Sequence, residues 1–189
     1  MPPEEWAETT LGEVATIVGG GTPSTVETTF WGSDVVWLTP TEVVANEGRV
    51  IRASRRMLTE AGLRASSATL LPEGSVLLTT RATIGATALA GVPLATNQGF
   101  QSLVPSDHAL ARFLMYWCQA NKTEFLARAG GNTFKEISRA NVRNVRLLLP
   151  PLPEQRRIVD LLDAVDAAID QHASSRRRSP RHARRYWWR

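Results

Sequence analysis

Apolar and polar positions change their period more than once along these 189 residues. Val14 to Val18 is a short β-prone run. It stops at Gly19-Gly20-Gly21-Thr22-Pro23-Ser24, where three glycines and a proline predict a loop with unusual backbone angles. Asp34 to Thr39 predicts a second strand, ended by Pro40, and Ser75 to Thr80 a third, entered from the turn residues Pro72-Glu73-Gly74. Ile84 to Ala90 and Phe100 to Val104 add two more around Gly91-Val92-Pro93. Short strands this closely spaced predict a β-rich, partly curled sheet.

From Asp107 the period becomes helical. Leu110, Phe113, Leu114, Trp117 and Cys118 share one face, continued by Phe125 and Leu126, so a helix is expected from Asp107 to Ala129. Ser106 or Asp107 would cap it and Gly130-Gly131 would end it. A short helix capped by Ser138 (to Asn144) and a last strand, Val145 to Leu149, precede Pro150-Pro151-Leu152-Pro153. That cluster can neither continue a strand nor sit inside a helix, and it marks a boundary. Beyond it, Ile158, Leu162, Val165 and Ile169 recur at spacings of 4, 3 and 4, a coiled-coil seam on a helix from Glu154 to about Gln171. Leu161 and Ala168 widen the seam, and Asp160, Asp163, Asp166 and Asp170 are expected on the other face. Two heptads are marginal alone, so the helix must pack on its own domain, a second copy or a partner. From His172 the periodicity stops. The expected organisation is α+β: a β-rich domain with a few helices over 1–150, a coiled-coil-type helix over 151–171, and a basic tail without stable order over 172–189.

Charge changes this picture only after it is located. The pI near 10 suggests a nucleic-acid partner. Yet residues 1–150 hold 13 basic and 13 acidic side chains, residues 151–170 hold 2 and 5, and residues 171–189 hold 7 and 0. The excess belongs to the tail. Inside the body, Arg49 to Arg64 carries five arginines against Glu60, and Arg128 to Arg146 five basic residues against Glu136. Each stretch reads equally as a phosphate-facing patch or a solvated face. No apolar run approaches the ~18 residues of a membrane span. The first ten residues carry three glutamates and no apolar stretch, so no secretory signal is expected. The single cysteine, Cys118, is expected as a buried helix residue. These features fit a cytoplasmic protein.

Catalytic constellations are missing from the sequence. The glycine loop lacks the lysine of a phosphate-cradling loop, no dinucleotide fingerprint opens a helix, and His108, His172 and His182 are dispersed. No motif of a methyltransferase or nuclease centre is present, so no catalytic residue, metal or cofactor is expected. What remains are hydrogen-bonding residues beside predicted turns: Thr22, Ser24 and Thr25; Thr79 to Thr83 around Arg81; Asn97 and Gln98; and Asn132, Thr133 and Lys135. Arginine reads guanine edges, asparagine and glutamine read adenine, and hydroxyls hold phosphates in register. Asn97 and Gln98 are equally suited to tying a turn together.

The order of these segments carries a resemblance. Trp6 to Gly12 (Trp-x-x-x-x-Leu-Gly) is followed by Gly20-Gly21-Thr22-Pro23-Ser24, Phe30-Trp31-Gly32 and Val36-Trp37-Leu38-Thr39-Pro40. Then come Ser66-Ser67-Ala68 with Leu70-Leu71-Pro72 and Gly74, Thr80-Arg81-Ala82-Thr83-Ile84-Gly85 and Thr96-Asn97-Gln98-Gly99-Phe100. Thr133 to Ser138 and Leu149 to Gln155, opening a helix, complete nine motifs in order. Over residues 6–171 the chain resembles a target-recognition domain of type I restriction–modification specificity subunits. The resemblance implies double-stranded DNA as ligand, read by Thr22, Ser24, Arg81, Thr83, Asn97, Gln98, Asn132, Thr133 and Lys135. It also implies a spacer helix with Ile158, Leu162, Val165 and Ile169 at its interface. The implied partners are modification subunits that methylate adenine and, through the complex, restriction subunits that cleave; a homodimer through the helix is a further expectation. One recognition domain stands where the family usually has two, and the spacer decays after Gln171. A half-subunit that dimerises to restore a symmetric site, and a truncated, non-functional or regulatory adaptor, are the two expectations.

Overall fold

The computed structural model describes residues 5–131 and 135–178. β1 (Ala7–Thr10) leads through a single helical turn, α1 (Leu11–Val14), into β2 (Ala15–Gly19). After a loop come β3 (Trp31–Gly32), β4 (Val35–Leu38), α2 (Pro40–Ala45), β5 (Val50–Ile51), β6 (Arg56–Leu58) and α3 (Glu60–Arg64). β7 (Val76–Leu78), β8 (Thr87–Ala90), β9 (Leu94–Thr96) and β10 (Gln101–Pro105) follow. Then come α4 (Ala111–Ala120), α5 (Lys122–Ala127), α6 (Arg139–Arg143), β11 (Arg146–Leu149) and α7 (Leu152–Arg178). The fold is α+β, as the sequence predicts.

The strands form a five-stranded sheet, β2-β10-β7-β8-β5, a four-stranded sheet, β3-β6-β4-β9, and the pair β1-β11. All pairings are antiparallel except β5 with β8 and β4 with β9. The strand period of two sends neighbours to opposite faces. Val76 and Leu78 enter a core with Phe113, Leu114, Met115, Cys118 and Phe125 of the helices, while Leu77 between them enters a second core. That second core joins Leu77, Ala88 and Ala90 of the larger sheet to Val36, Leu38 and Leu94 of the smaller one. Val35, Trp37 and Leu58 point to a third, outer cluster with Trp31 and Leu63. The larger sheet is thus covered on both faces, by helices and by the smaller sheet. This explains why its strands read as unbroken apolar runs rather than alternations. Cys118 is buried in α4, and burial pushes its thiol up to about 12.

Four sequence expectations are corrected. The run expected as a strand from Val14 begins one residue later, because Thr10 and Glu13 close a capping box around α1. A second box, Thr39 with Glu42 and Pro40 in the first turn, makes Pro40 the opening of α2 as well as the end of β4. The helix expected from Asp107 to Ala129 starts at Ala111 and is broken at Asn121. The Asn121 amide side chain donates to the Trp117 carbonyl at 2.8 Å, competing with helical continuation. Finally, α7 runs through Arg178, so 172–178 is helix rather than unordered tail. No glycine or proline interrupts that stretch. The rest of the expected tail, 179–189, lies outside the described residues.

The start of α7 is set by one buried amide. Gln155 is fully buried; its Oε1 accepts from the Leu110 N–H at 2.8 Å, and its Nε2 donates to the His108 and Pro150 carbonyls at 2.9 and 2.8 Å. The side chain thereby satisfies backbone groups at the N-terminus of α4 and at the entry to α7. Val159 is buried in the helical core and Ile158 packs beside it. Further along, the acidic face of α7 meets the domain. Asp163 Oδ1 accepts from Arg112 Nε at 2.6 Å and lies 2.6 Å from the Tyr116 hydroxyl, which is 2.8 Å from Asp166. Burial, followed by these two carboxylates, raises the Tyr116 pKa. Asp170 receives both Nη groups of Arg49, and that hydrogen bonding holds its carboxyl below the ordinary aspartate range. The predicted seam is therefore split. Ile158 and Leu162 are half-buried, while Leu161, Val165 and Ile169 are 66%, 48% and 59% exposed.

Candidate nucleic-acid interface

Strand direction gathers the candidate residues. Gly19 pairs with Gln101 and Leu103 with Val76, so β2 ends, β10 begins and β7 ends on one side of the larger sheet. Bridges from Thr79 to Phe100 and from Arg81 to Glu136, with the Ile137 N–H donating to Thr80 O at 3.3 Å, add the segment after Gly130. β4 reaches the same end through the Leu38–Thr96 pairing and the Asn97 N–H on Leu38 O at 3.0 Å. Four segments separated in sequence, Gly19–Ser24, Thr79–Gly85, Thr96–Phe100 and the stretch leading to Ser138, thus converge at one end of the domain.

Each is held by a specific device. A Cβ on Gly20 would lie 2.0 Å from Asn97 O and 2.3 Å from Thr96 O, so only glycine fits. The Gly21 N–H donates to Thr96 O at 2.8 Å, and the buried Trp37 Nε1 donates to Gly21 O at 3.0 Å. Thr22 Oγ1 donates to Gln98 Oε1 at 2.6 Å, tying the first loop to the third. Trp31 Nε1 donates to Ser24 O at 3.2 Å; its ring stacks edge-on against Trp37 and carries the Arg56 guanidinium 3.4 Å from its centroid. Asn97 Oδ1 accepts from the Gly99 N–H at 2.9 Å, an Asx turn. In the second loop the Thr79 hydroxyl donates to the Thr83 carbonyl, and Ala82 adopts φ +60°, a region costly for residues with a Cβ. Arg81 Nε lies 2.8 Å from Glu136 Oε1.

The sequence-predicted residues divide. Thr22, Gln98, Asn97, Arg81 and Thr83 come together at this end. Ser24 lies on the same glycine loop and exposes its side chain, and Lys135 is exposed beside Glu136. Asn97 spends its side-chain oxygen on its own turn, while Thr22 and Gln98 spend theirs on each other. Gln98 is exposed, and among the described residues its amide NH2 makes no hydrogen bond. Asn132 and Thr133 lie outside the described residues. Sequence reasoning missed Glu136, the Arg56–Trp31 stack, and Val26, which is 88% exposed at the tip of the first loop. Glu136 carried a signal as the one acid in a basic stretch. Of the Arg49–Arg64 stretch, Arg49 and Arg64 are paired with Asp170 and Glu60, and Arg56 is stacked. Among the described residues, no three His, Cys, Asp or Glu side chains converge to hold a metal ion, and no helix is long and apolar enough to cross a membrane.

The layered α+β domain, with polar loops at one sheet end and a long helix docked at its side, has counterparts among solved restriction–modification proteins. A chain from a solved structure of the type I R-M system, one that addresses its complex assembly and conformational transition, matches 93% of this chain with a TM-score of 0.73 and 26% identity. The HsdS subunit from Thermoanaerobacter tengcongensis matches 96% with a TM-score of 0.66 and 25% identity. The chain belongs to the type I restriction modification DNA specificity domain family, which it matches over residues 3–177. It is 34% identical over 170 residues to the type I restriction enzyme MjaIX specificity subunit of Methanocaldococcus jannaschii, and 29% identical over 170 residues to the EcoR124I/EcoR124II specificity subunit of Escherichia coli. Those alignments take in 89% and 86% of this chain but only 39% and 41% of the relatives. The chain therefore spans about two fifths of their length.

Proposed function

We propose that this domain reads a base sequence in double-stranded DNA and directs adenine methylation and restriction carried out by partner subunits, with no catalytic centre of its own. The observation that carries the reading is the convergence of four polar loops on one rigid sheet end. Loops held by a scaffold can enter a groove while the scaffold fixes their register. Arg81, Gln98, Ser24, Thr83 and Lys135 supply the donors such a surface needs, Thr22 belongs to it by fixing Gln98 and offering its hydroxyl oxygen as an acceptor, and Asn132 and Thr133 are assigned to it from the family motif. Asn97 serves it by shaping the turn. Family membership supports the partners: modification subunits dock on the domain and helix, and restriction subunits join through them.

The outward face of α7 has a role in the same scheme. Leu161, Val165 and Ile169 face solvent, whereas Asp163, Asp166 and Asp170 are engaged by the domain. A second copy of this helix, packed antiparallel, would cover that stripe and set two reading surfaces a fixed distance apart. The test is reconstitution with modification subunits and a duplex library. Enrichment of one motif supports the reading; equal binding of all duplexes overturns it. A sedimentation measurement on wild type and on Val165→Asp/Ile169→Asp separates a helix-paired dimer from a monomer.

A further inference from the structure

We propose that Glu136 is a positioning residue for specificity: it holds the Arg81 guanidinium by its Nε so that the Nη fork faces outward, set to take a base edge with two acceptors. The inference rests on the DNA-reading function proposed above. Its starting point is the ion pair between Arg81 Nε and Glu136 Oε1 at 2.8 Å, on side chains 46% and 38% exposed. A pair of this exposure contributes little to stability. Its surroundings are nonetheless more ordered than a surface pair requires.

Both backbones are fixed. Glu136 exchanges two hydrogen bonds with Gly130, N–H to carbonyl at 3.0 Å and carbonyl to N–H at 2.9 Å, and the next residue, Ile137, is fully buried. Arg81 bridges Glu136 and follows Thr80, whose N–H donates to Gly99 O at 2.8 Å. After Arg81 the chain turns through Ala82 at φ +60°, held by the Gly85 N–H on Thr79 O at 2.9 Å. A left-handed alanine in an exposed loop is an unfavourable conformation retained by its surroundings. Here it sits directly behind the arginine that it aims.

A guanidinium has five N–H donors in a rigid fork. The ion pair sets Nε beside Glu136, and among the described residues no hydrogen bond engages either Nη group, so both can make a bidentate contact, the geometry arginine uses on the O6 and N7 of guanine. An arginine held in advance loses less rotamer freedom on binding. The carboxylate also disfavours a phosphate oxygen at the same spot. Glu136 therefore biases Arg81 toward a neutral base edge and away from the backbone, which converts charge attraction into discrimination.

The experiment uses the complex with modification subunits and a panel of duplexes substituted one base pair at a time within the recognised site. Glu136→Gln is expected to lower discrimination at one G·C position by about tenfold, the scale of a single bidentate contact. Binding to unrelated duplex should stay equal or rise, since a negative charge leaves the surface. Arg81→Ala should lose discrimination at the same position, and the double variant should be no worse than Arg81→Ala alone. A merely structural role would lower specific and non-specific binding together and would lower the melting temperature, which is recorded for each variant. Glu136→Gln with full discrimination beside a defective Arg81→Ala overturns the positioning role, as does additivity in the double variant. A wild-type complex without any discrimination overturns the DNA-reading proposal itself, and the outcomes are thereby distinct.

Discussion

Two arginine–carboxylate systems in this domain use the same chemistry in different surroundings. At the base of α7, Arg112 and Tyr116 of α4 meet Asp163 and Asp166, and Arg49 meets Asp170; the Arg112 and Asp163 side chains are 30% and 39% exposed. At the loop end, Arg81 meets Glu136 at 46% and 38%. The first system joins the domain to the helix, over a hydrophobic base formed by Val159 and Ile158. The second lies between two loop segments that the backbone bridge of Arg81 with Glu136 already joins. The same pair therefore orients one body against another in one place and a single side chain in the other. What distinguishes them is what lies behind the charges, not the charges themselves.

The largest test of this contrast is at Gln155. Gln155→Leu strands the Leu110 N–H and the His108 and Pro150 carbonyls, and is expected to lower stability by about 3 kcal/mol in denaturant titrations. Loss of helix docking should be visible as earlier proteolysis within α7. At the loop end the corresponding change is Gly20→Ala. Its Cβ would overlap two carbonyl oxygens, so we expect a loss of about 2 kcal/mol with α7 still docked, as hydrogen exchange would report. The paired arginines follow. Arg112→Ala should cost about 1 kcal/mol, discounted for partial exposure, whereas Arg81→Ala should stay within about 0.5 kcal/mol of wild type while losing base discrimination. Equal stability losses at the two arginines would dissolve the comparison.

The smallest effect is a pH dependence. Hydrogen bonding to Arg49 lowers the folded-state pKa of Asp170 below the unfolded aspartate value of about 3.9. A lowered carboxylate pKa stabilises the fold fully above the unfolded value, and that contribution fades as pH falls through the folded value. Melting curves of wild type and Asp170→Asn should therefore differ at neutral pH and converge in acid. A gap that widens on acidification would show that Asp170 has the opposite sign.

The two regions were not equally legible. Element types with long apolar runs were readable: the cores of β4, β7, β8 and β10, the helical face around Phe113 to Cys118, and the boundary at Pro150–Pro153. The two-residue strands β3 and β5 and the helix α2 were not, because their residues form no period of their own; Pro40 read as a stop when the capping box made it a start. The loop motifs were visible as motifs, but their division of labour was not. Asn97 and Arg81 look alike as candidate base readers in sequence, yet one hydrogen-bonds its own turn and the other is ion-paired with a carboxylate 55 positions away.

The helix shows the same limit from the other side. Its seven-residue apolar pattern and its row of aspartates follow from the sequence alone, because a helix places residues three and four apart on one face whatever it packs against. Which face turns inward was decided by the fold. Arg49, Arg112 and Tyr116, distant in sequence, come to one side of the domain and claim the aspartates, leaving Leu161, Val165 and Ile169 outside. Local periodicity determines what a segment can be. The partners that choose among its faces come from long-range contacts, and those exist only once the sheets have brought the chain together.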